Sequence, residues 1–363
     1  MKPILEILIP TYKRPLSASV AIDSILTCND SRLTVRCNSN GYENDLEKYR
    51  NINKIVHYDF FKSNKGPHAN ILKLLSETEA DFCMLLSDED RINNNNYANL
   101  LNYLENIDES INVIACSIYD LDKDKFHWRP SSRLSECDIN DYVALSPLST
   151  YISGIVYRVK SLRSIDISNL MSPSIGNSYP HLDINIHMLL NGKLDFYDNR
   201  FVEMGRDVKF GGDGYSHKSN ASTSDTLDSK NKDLNPSVYG PQARARQFYY
   251  RENLLNKLKS RIGFISSCIG RFNYLEFYYK CLMSADRVVI LPKNKILKDE
   301  ALVGYHKSKE NMECSGSKTS NFFTTLIRLP KPISALIVII LSTLNNFIRK
   351  IYLLHLMLNK NFK

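Results

Sequence analysis

Three acidic residues, Asp88, Glu89 and Asp90, directly follow the apolar run Phe82 to Leu86 in this 363-residue chain. An unbroken apolar run of this length predicts a strand that is buried on both faces, as in a parallel sheet. Two carboxylates at positions i and i+2 beyond such a strand can point the same way and bind a hard cation through oxygen. The alternative to a metal site is a solvated acidic turn without a bound ion. On the first interpretation, a divalent ion held here would neutralise a diphosphate.

The elements that would position these acids alternate between strands and helices. The pattern predicts, in order, strand 4–9, a helix capped by Ser17, strand 33–37, strand 54–58, a helix through 71–75 and the strand before the acids. This succession is typical of an α/β fold with a mostly parallel sheet. Ligands of such sheets bind at the carboxyl ends of the strands, where the acids lie.

Beyond the acids the same kind of pattern continues to about residue 205. It predicts a helix over 97–104, strands over 112–118, 123–129 and 151–157, a helix over 181–190 and a last strand from 196. Gly154 lies inside one of these strands, which can mark a close approach of two backbones.

The charge of the chain is unevenly distributed. The formal net charge is +8, but residues 241–363 contain 21 Lys/Arg and 7 Asp/Glu, which leaves a net charge of −6 for the remainder. This asymmetry predicts two surfaces with different partners, and the basic end suits nucleic acid or an anionic membrane. Eight cysteines without metal-site spacing, and a strand that begins at Ile4, predict a cytoplasmic protein with reduced thiols and no signal peptide.

Three regions follow from these patterns: a catalytic domain over 1–205, a polar segment over 206–241 and a basic helical region over 242–363. The polar segment has no periodicity and is either disordered or a functional loop, which we interpret as a lid that excludes water. Apolar residues recur at spacings of three and four over 333–358. The run 335–341 is too short to span a bilayer, so this pattern favours an in-plane membrane helix or a dimerising helix, with a core helix as the alternative.

The chain resembles the inverting nucleotide-sugar glycosyltransferases of family 2, which have the GT-A fold. Three motifs carry the resemblance, in the family's order and within ninety residues: Ile7 to Pro15, Asn64-Lys65-Gly66 with Ala69-Asn70, and Leu85 to Asp90. They resemble the opening nucleotide-binding turn, a helix start that faces the nucleotide, and the DxD metal motif. The likeness covers residues 3–205 and is greatest to bacterial transferases that build O-antigen or capsule units on a lipid carrier.

The resemblance implies a donor site and a metal. Asp88 and Asp90 would hold Mn²⁺ or Mg²⁺, and Asp88 would share ribose contacts, whereas alternation would turn Glu89 away. The expected donor-side residues are Pro10, Thr11, Tyr12, Arg14, Asn38, Asn40, Lys65, Gly66, Asn70, Asp88 and Glu89. Tyr12 could stack on the base and Arg14 could bind a phosphate or form a surface pair. Members of the family usually have an Asp at the end of the second strand to read the base. This chain has Asn38 and Asn40 there, so the nucleotide stays open.

The resemblance also suggests the catalytic and acceptor residues. Asp183, at the start of a late helix, is where family members have their general base, although a carboxylate there also stabilises the helix dipole. His181 is the rival base, and His217 is either a third metal ligand or a loop histidine. On the acceptor side we expect Trp128, Ser153 and Gly154, each with a packing or bulge role as the alternative.

Three functions compete at this stage. The first is a glycosyltransferase at the inner face of the cell membrane, which uses a nucleotide-sugar and a saccharide linked to polyprenyl diphosphate. The second, a nucleotidyltransferase, is weaker because no glycine follows the first strand. The third, a non-enzymatic nucleic-acid or membrane binder, rests on the basic end, but no nucleic-acid-binding motif is found, so nucleic acid is not expected as a partner. Whether the chain forms a homo-oligomer stays open.

Overall fold

The computed structural model of this chain describes residues 2–50, 56–130, 136–145, 151–170, 180–205, 254–273 and 331–360. These residues divide into two units. The first contains residues 2–138 with their two gaps, 151–170 and 181–205, and the second contains 139–145, 180, 254–273 and 331–360. The predicted lid over 206–241, with His217, lies outside the described residues, and the three predicted regions stay predictions.

A nine-stranded sheet forms the centre of the first unit. Its strands are β1 (Leu5–Thr11), β2 (Leu33–Ser39), β3 (Val56–Phe60), β4 (Phe82–Leu85), β5 (Asp90–Ile92), β6 (Ile111–Asp120), β7 (Lys125–Trp128), β8 (Ile155–Arg158) and β9 (Lys193–Met204). They are ordered β3-β2-β1-β4-β8-β6-β9-β5, and β7 pairs with β6. β3, β2, β1 and β4 are parallel neighbours, as are β6 and β9, whereas β8 is antiparallel to both β4 and β6.

Helices cover this sheet and form the second unit. They are α1 (Pro15–Leu26), α2 (Pro67–Glu77), α3 (Tyr97–Asn106), α4 (Ile139–Leu145), α5 (Val159–Leu162), α6 (Ile167–Leu170), α7 (Pro180–Leu189) and the C-terminal helix (Lys331–Lys360). A 3₁₀ helix spans Asn44–Tyr49, and residues 254–257 and 264–273 are also helical. The prediction of an α/β fold with a helical C-terminal segment is confirmed.

The core of the first unit lies where the parallel strands pack against helices. In β1, Leu5, Ile7 and Ile9 are fully buried, and they belong to one apolar cluster with Ile22 of α1 and Leu100 of α3. Burying one such side chain contributes about 1.5–3 kcal/mol to folding. Except for Glu6, which pairs with Arg36, the side chains of β1 from Leu5 to Pro10 are apolar on both faces of the sheet, so its sequence does not alternate between apolar and polar residues.

Two sequence predictions require correction. Ser17 does not cap α1: the helix begins at Pro15, because proline at the first helical position has the helical φ already fixed, and Ser17 is buried inside the first turn. The predicted strand 151–157 is shorter and begins at Ile155, because Gly154 has a φ of +86°, outside the strand region. The short strand β5 was not predicted and begins at Asp90 itself.

The second unit contains the one helix in the described residues that is long and apolar enough, by length and composition, to cross a membrane. The qualifying window is Leu336–His355, 20 residues, of which 11% are buried. The whole helix is therefore long enough to span a bilayer, although its purely apolar run 335–341 is too short. Length alone does not decide between an in-plane and a spanning helix.

Candidate active site

Parallel pairing of β1 and β4 brings Thr11 and Asp88 together. Leu8 of β1 pairs with Leu85 of β4 in the parallel register. Thr11 lies three residues after Leu8, and Asp88 lies three residues after Leu85. The two side chains consequently reach the same level at the carboxyl edge of the sheet, where the Thr11 hydroxyl donates a 2.7 Å hydrogen bond to Asp88 Oδ2. The Asp88 side chain is buried, with 1% of its surface exposed.

Arg14 supplies the positive charge beside this carboxylate. It precedes α1 as its N-cap residue, and its Nη2 lies 2.6 Å from Asp88 Oδ1. Its Nη1 pairs with the carboxylate of Glu89. Glu89 therefore shares a guanidinium with Asp88 instead of turning away from it, because β4 ends at Leu85 and strand alternation no longer applies.

Asp90 is held by the other half of the sheet. It begins β5 and pairs with Met204 of β9. Since β8 runs antiparallel to β4, the residues just before β8 lie beside the carboxyl end of β4. From there Tyr151 OH donates to Asp90 Oδ1 at 2.7 Å, and Ser153 Oγ donates to Asp90 Oδ2 at 2.6 Å.

The environment of Asp90 disfavours its charged form. Burial raises the pKa of its carboxyl to about 7, and the charge of Asp88 adds to the rise, although the hydrogen bonds from Ser153 and Tyr151 oppose it. A bound cation would remove this penalty. Asp90 is thus a buried carboxylate whose described side-chain partners, Tyr151 and Ser153, are both neutral.

The chemistry of this pair fits a divalent metal. Carboxylate oxygens are the ligands that Mg²⁺ and Mn²⁺ prefer. Among the described residues, no group of three His, Cys, Asp or Glu side chains could hold a metal.

A chain of amides lies next to Thr11 at the same edge of the sheet. Asn70 of α2 donates its Nδ2 to the carbonyl oxygens of Asn38, at 2.9 Å, and of Thr11, at 3.3 Å. Carbonyl oxygens only accept, so these bonds fix the orientation of the Asn70 amide. Its oxygen then accepts from Asn38 Nδ2 at 2.8 Å. Asn38 and Asn70, both named in the sequence analysis, are thus one buried unit that joins β2 to α2.

The turn before α2 is held to the end of β2. Asn40 Oδ1 accepts a 2.9 Å hydrogen bond from the backbone nitrogen of Lys65. Gly66 follows as the N-cap of α2 with a φ of +85°, a conformation that glycine adopts at no steric cost. Asn64 Oδ1 accepts from the Gly66 nitrogen at 2.9 Å. The residues of the second motif are therefore positioned by backbone contacts close to the strand ends.

A small cavity lies on the β6 and β8 side of Asp90. It has a volume of about 10 Å³, room for one water molecule, and Trp128, Tyr151, Ser153 and Gly154 are among its lining residues. A Cβ atom at Gly154 would lie 3.3 Å from the Cys116 carbonyl oxygen, so the glycine permits a close approach to β6. The three predicted acceptor-side residues are thus brought together around one cavity next to Asp90.

The candidate bases, His181 and Asp183, lie on α7. Asp183 is fully buried, and His181 is buried with 4% of its surface exposed. The carbonyl oxygen of His181 accepts a 3.4 Å hydrogen bond from Tyr157 of β8, which ties α7 to the sheet. Of the remaining donor-side residues, Pro10 pairs with Asn38 in the strand register, and Tyr12 lies beneath the ammonium group of Lys13.

Tyr151 is the site residue that the sequence analysis missed. Its phenol is one of the two hydroxyls that hold Asp90. The available signal was its spacing of two from Ser153, which places both side chains on one side of an extended segment.

The chain is similar to known proteins in sequence and in fold. Residues 6–165 match the family model described as glycosyl transferase family 2, and this range contains Thr11, Arg14, Asp88, Asp90 and Ser153. The match identifies a glycosyltransferase. The prediction of an enzyme that transfers a glycosyl group is thereby confirmed. A comparison with curated protein sequences gives no match.

Several solved structures are similar to this glycosyltransferase at low identity. The crystal structure of S. aureus TarS 1-349 is 14% identical, with a TM-score of 0.43, and the likeness covers 88% of this chain and 93% of that one. The crystal structure of S. aureus TarS is 14% identical, with a TM-score of 0.43, and the likeness covers 86% of this chain and 55% of that one. The crystal structure of S. aureus TarS 1-349 in complex with UDP-GlcNAc is 13% identical, with a TM-score of 0.44, and the likeness covers 88% of this chain and 93% of that one.

Proposed function

We propose that this chain is a metal-dependent, inverting glycosyltransferase that uses a nucleotide-sugar donor. The observation that carries the proposal is the carboxylate pair Asp88 and Asp90, buried at the carboxyl edge of parallel strands within the range that matches the family. A divalent cation, Mn²⁺ or Mg²⁺, supplies the positive charge that stabilises the departing diphosphate.

The donor side consists of residues that the strand ends bring together. Asp88 and Asp90 hold the cation, and Arg14, already beside Asp88, is within reach of a diphosphate bound there. Asn38, with Asn40 beside it, reads the base through an amide that Asn70 orients. Lys65 and Gly66 present backbone at the start of α2, where the positive end of the helix dipole favours a bound phosphate.

The acceptor side consists of Asp183 as general base, or His181 as its rival, and of Trp128, Ser153 and Gly154 as neighbours of the sugar. The acceptor is a saccharide on a polyprenyl diphosphate, and the product is a repeat unit of O-antigen or a related surface polysaccharide. This assignment rests on the resemblance to bacterial polysaccharide transferases and places the enzyme at the cytoplasmic face of the membrane.

Thermal unfolding tests the donor site. We expect one nucleoside diphosphate from a panel to raise the melting temperature only when Mn²⁺ is present, because a ligand that binds the folded state alone stabilises it. At a ligand concentration one hundred times Kd the stabilisation is about 2.7 kcal/mol. Asp90→Ala should abolish the rise, whereas Asp45→Ala, which removes an exposed carboxylate from the 3₁₀ helix, should retain it. An equal rise in Asp90→Ala would contradict the assigned metal site.

Turnover separates the two candidate bases. Asp183→Asn should reduce turnover by at least about a hundredfold, the usual contribution of a general base, and should leave the nucleotide-dependent rise in melting temperature intact. His181→Asn should retain turnover if Asp183 is the base. The opposite pattern would assign the base to His181.

A further inference from the structure

The C-terminal helix buries Asn345 and Val338 on its protein-facing side and exposes large apolar residues on its outer side. Its outer side presents seven large apolar residues, each at least half exposed, which we call the apolar stripe: Leu336, Ile339, Ile340, Leu344, Phe347, Ile351 and Leu354. A helix of a water-soluble domain shows the reverse pattern, with its apolar side buried and its polar side in water.

The inner side of this helix is held by polar contacts within the second unit. Asn345 Nδ2 donates to Asn273 Oδ1 at 2.7 Å, and Asn273 in turn donates to the Ala144 carbonyl oxygen at 3.0 Å. Arg349 donates to the Leu145 carbonyl oxygen at 2.5 Å. These bonds use the residues that interrupt the apolar sequence, so the interruptions are explained by attachment to α4 and to the helix 264–273.

The next turn of the helix continues this attachment. Tyr352 OH donates to Asp141 Oδ1 at 3.1 Å and lies 3.2 Å from Ser266 Oγ. Contacts therefore run over residues 345–352, close to the middle of the apolar window 336–355. A helix that crossed a bilayer would carry Asp141 and its other polar partners into the hydrocarbon, which is costly.

The charge around the apolar stripe is almost entirely positive. The described residues of the second unit contain eight Lys/Arg and one acid, Asp141. Lys257, Lys259 and Arg261 are exposed, and they shortly precede Phe264 and Ile265, which are 83% and 61% exposed. Exposed aromatic and aliphatic side chains next to cations are typical of surfaces that bind anionic lipid interfaces.

We infer that the C-terminal helix lies in the plane of an anionic membrane, with the apolar stripe among the lipid acyl chains and its polar side fixed to the protein. Phe264 and Ile265 add a second apolar contact of the same unit. The charge complementarity selects a lipid surface over a second copy of the chain, because two copies would bring two strongly basic surfaces together. The inference concerns the second unit alone and does not depend on the proposed activity.

Vesicle co-sedimentation of the full chain tests the occupant of the stripe. We expect binding to phosphatidylcholine vesicles that contain phosphatidylglycerol, and much weaker binding to phosphatidylcholine alone. Phe347→Asp should weaken the binding about tenfold or more, since one buried aromatic side chain is lost. The matched control is Asn346→Asp, which adds the same charge at the neighbouring exposed position outside the stripe and should change binding about twofold at most.

Three outcomes would overturn the inference. Equal loss in both variants would mean that charge alone drives binding, and no loss in either would exclude the stripe as the contact. Absence of vesicle binding together with a dimer that Phe347→Asp dissociates in sedimentation would assign the stripe to a second copy. Because both substitutions are at exposed positions, circular dichroism should show unchanged folding in each.

The depth of two introduced tryptophans tests the orientation. Leu336→Trp and Phe347→Trp lie 11 residues apart, about 16 Å along the helix. An in-plane helix places both at one shallow depth, so lipids brominated near the headgroup should quench both equally, with the wild-type signal of Trp128 subtracted. A spanning helix would place residue 347 near the bilayer centre, and quenching there by deeply brominated lipid alone would overturn the in-plane arrangement.

Discussion

Arg14 is the residue on which the metal-free state of the donor site depends. Its guanidinium pairs with Asp88 and Glu89 and provides positive charge beside the buried Asp88 carboxylate. Removing one partner of a buried ion pair leaves an uncompensated charge, which costs more than the pair itself contributes. A cation bound at Asp88 can replace that charge.

This arrangement predicts how Arg14→Ala behaves with and without metal. We expect the metal-free variant to lose about 2–4 kcal/mol in its free energy of unfolding, because the buried Asp88 carboxylate loses the guanidinium that is paired with it. Added Mn²⁺ should stabilise the variant more than the wild type. Urea denaturation with Mn²⁺ or with chelator measures both effects.

Arg32→Ala is the matched control for this prediction. Arg32 also pairs with two acids, Asp30 and Glu105, but Glu105 is exposed and Arg32 lies at the amino end of β2, opposite the carboxyl ends that carry the site. Its removal should change the free energy of unfolding by about 1 kcal/mol or less and should leave the Mn²⁺ response unaltered. An identical Mn²⁺ response in Arg14→Ala and the wild type would show that the guanidinium and the metal do not share Asp88.

Asp90 makes the metal-free protein sensitive to pH. Its pKa is raised from 3.8 to about 7 by burial, so between these values the folded state binds more protons than the unfolded state. Stability from this group is therefore fully present below the unfolded pKa and is lost as the pH rises through the folded pKa. The loss over that window is on the order of 4 kcal/mol, from 1.36 kcal/mol per pKa unit.

The corresponding experiment compares the wild type with Asp90→Asn in chelator. We expect the free energy of unfolding of the wild type to fall relative to the variant as the pH rises from about 4 to 7, because asparagine does not titrate. Taking the difference between the two proteins removes the contributions of histidines. A difference that stays constant over this range would refute the raised pKa.

At the scale of elements, the site depends on the place where β8 begins. Tyr151, Ser153 and Gly154 form a turn before this strand, and Gly154 alone among them has a positive φ. The turn directs the Ser153 hydroxyl to Asp90. The same hydroxyl oxygen accepts a 2.9 Å hydrogen bond from the backbone nitrogen of Ser87. One short turn therefore joins β4, β5 and β8 at the carboxylate pair.

Gly154→Ala should disrupt this junction. The added Cβ would meet the Cys116 carbonyl oxygen at 3.3 Å and the backbone would keep a φ that alanine disfavours, so we expect a loss of about 1–3 kcal/mol in the free energy of unfolding. Gly66→Ala is the control, because Gly66 has nearly the same φ of +85° but open space for a Cβ. Urea denaturation should show the smaller loss, about 1 kcal/mol, for Gly66→Ala. Equal losses would mean that crowding at β6 contributes nothing.

At the scale of the whole molecule, the two proposals concern different units and separate experimentally. The carboxylate pair belongs to the first unit, and the apolar stripe belongs to the second. We expect Asp90→Ala to bind anionic vesicles as the wild type does, and Phe347→Asp to show the wild-type rise in melting temperature with nucleotide and Mn²⁺. Loss of both properties in either variant would show that the two units depend on each other.

The sequence by itself determined most of the elements of the first unit, although the short strand β5 was not predicted. Buried parallel strands are continuous apolar runs and strand ends carry the ligands, so Asp88 and Asp90 could be named as candidates without coordinates. Thr11 was named through the family resemblance. Element bounds failed where one residue overrode the pattern, as Pro15 did for α1 and Gly154 did for β8.

Only the tertiary structure decided what each polar group contacts. The bonds of Arg14 to Asp88 and of Tyr151 to Asp90 join residues more than sixty positions apart, and no local pattern encodes such a pairing. The same holds for the C-terminal helix. Its periodicity marks an apolar side, but whether that side is buried or exposed depends on which neighbours the polar side binds. Here Asn345, Arg349 and Tyr352 bind the protein, so the apolar side faces outward.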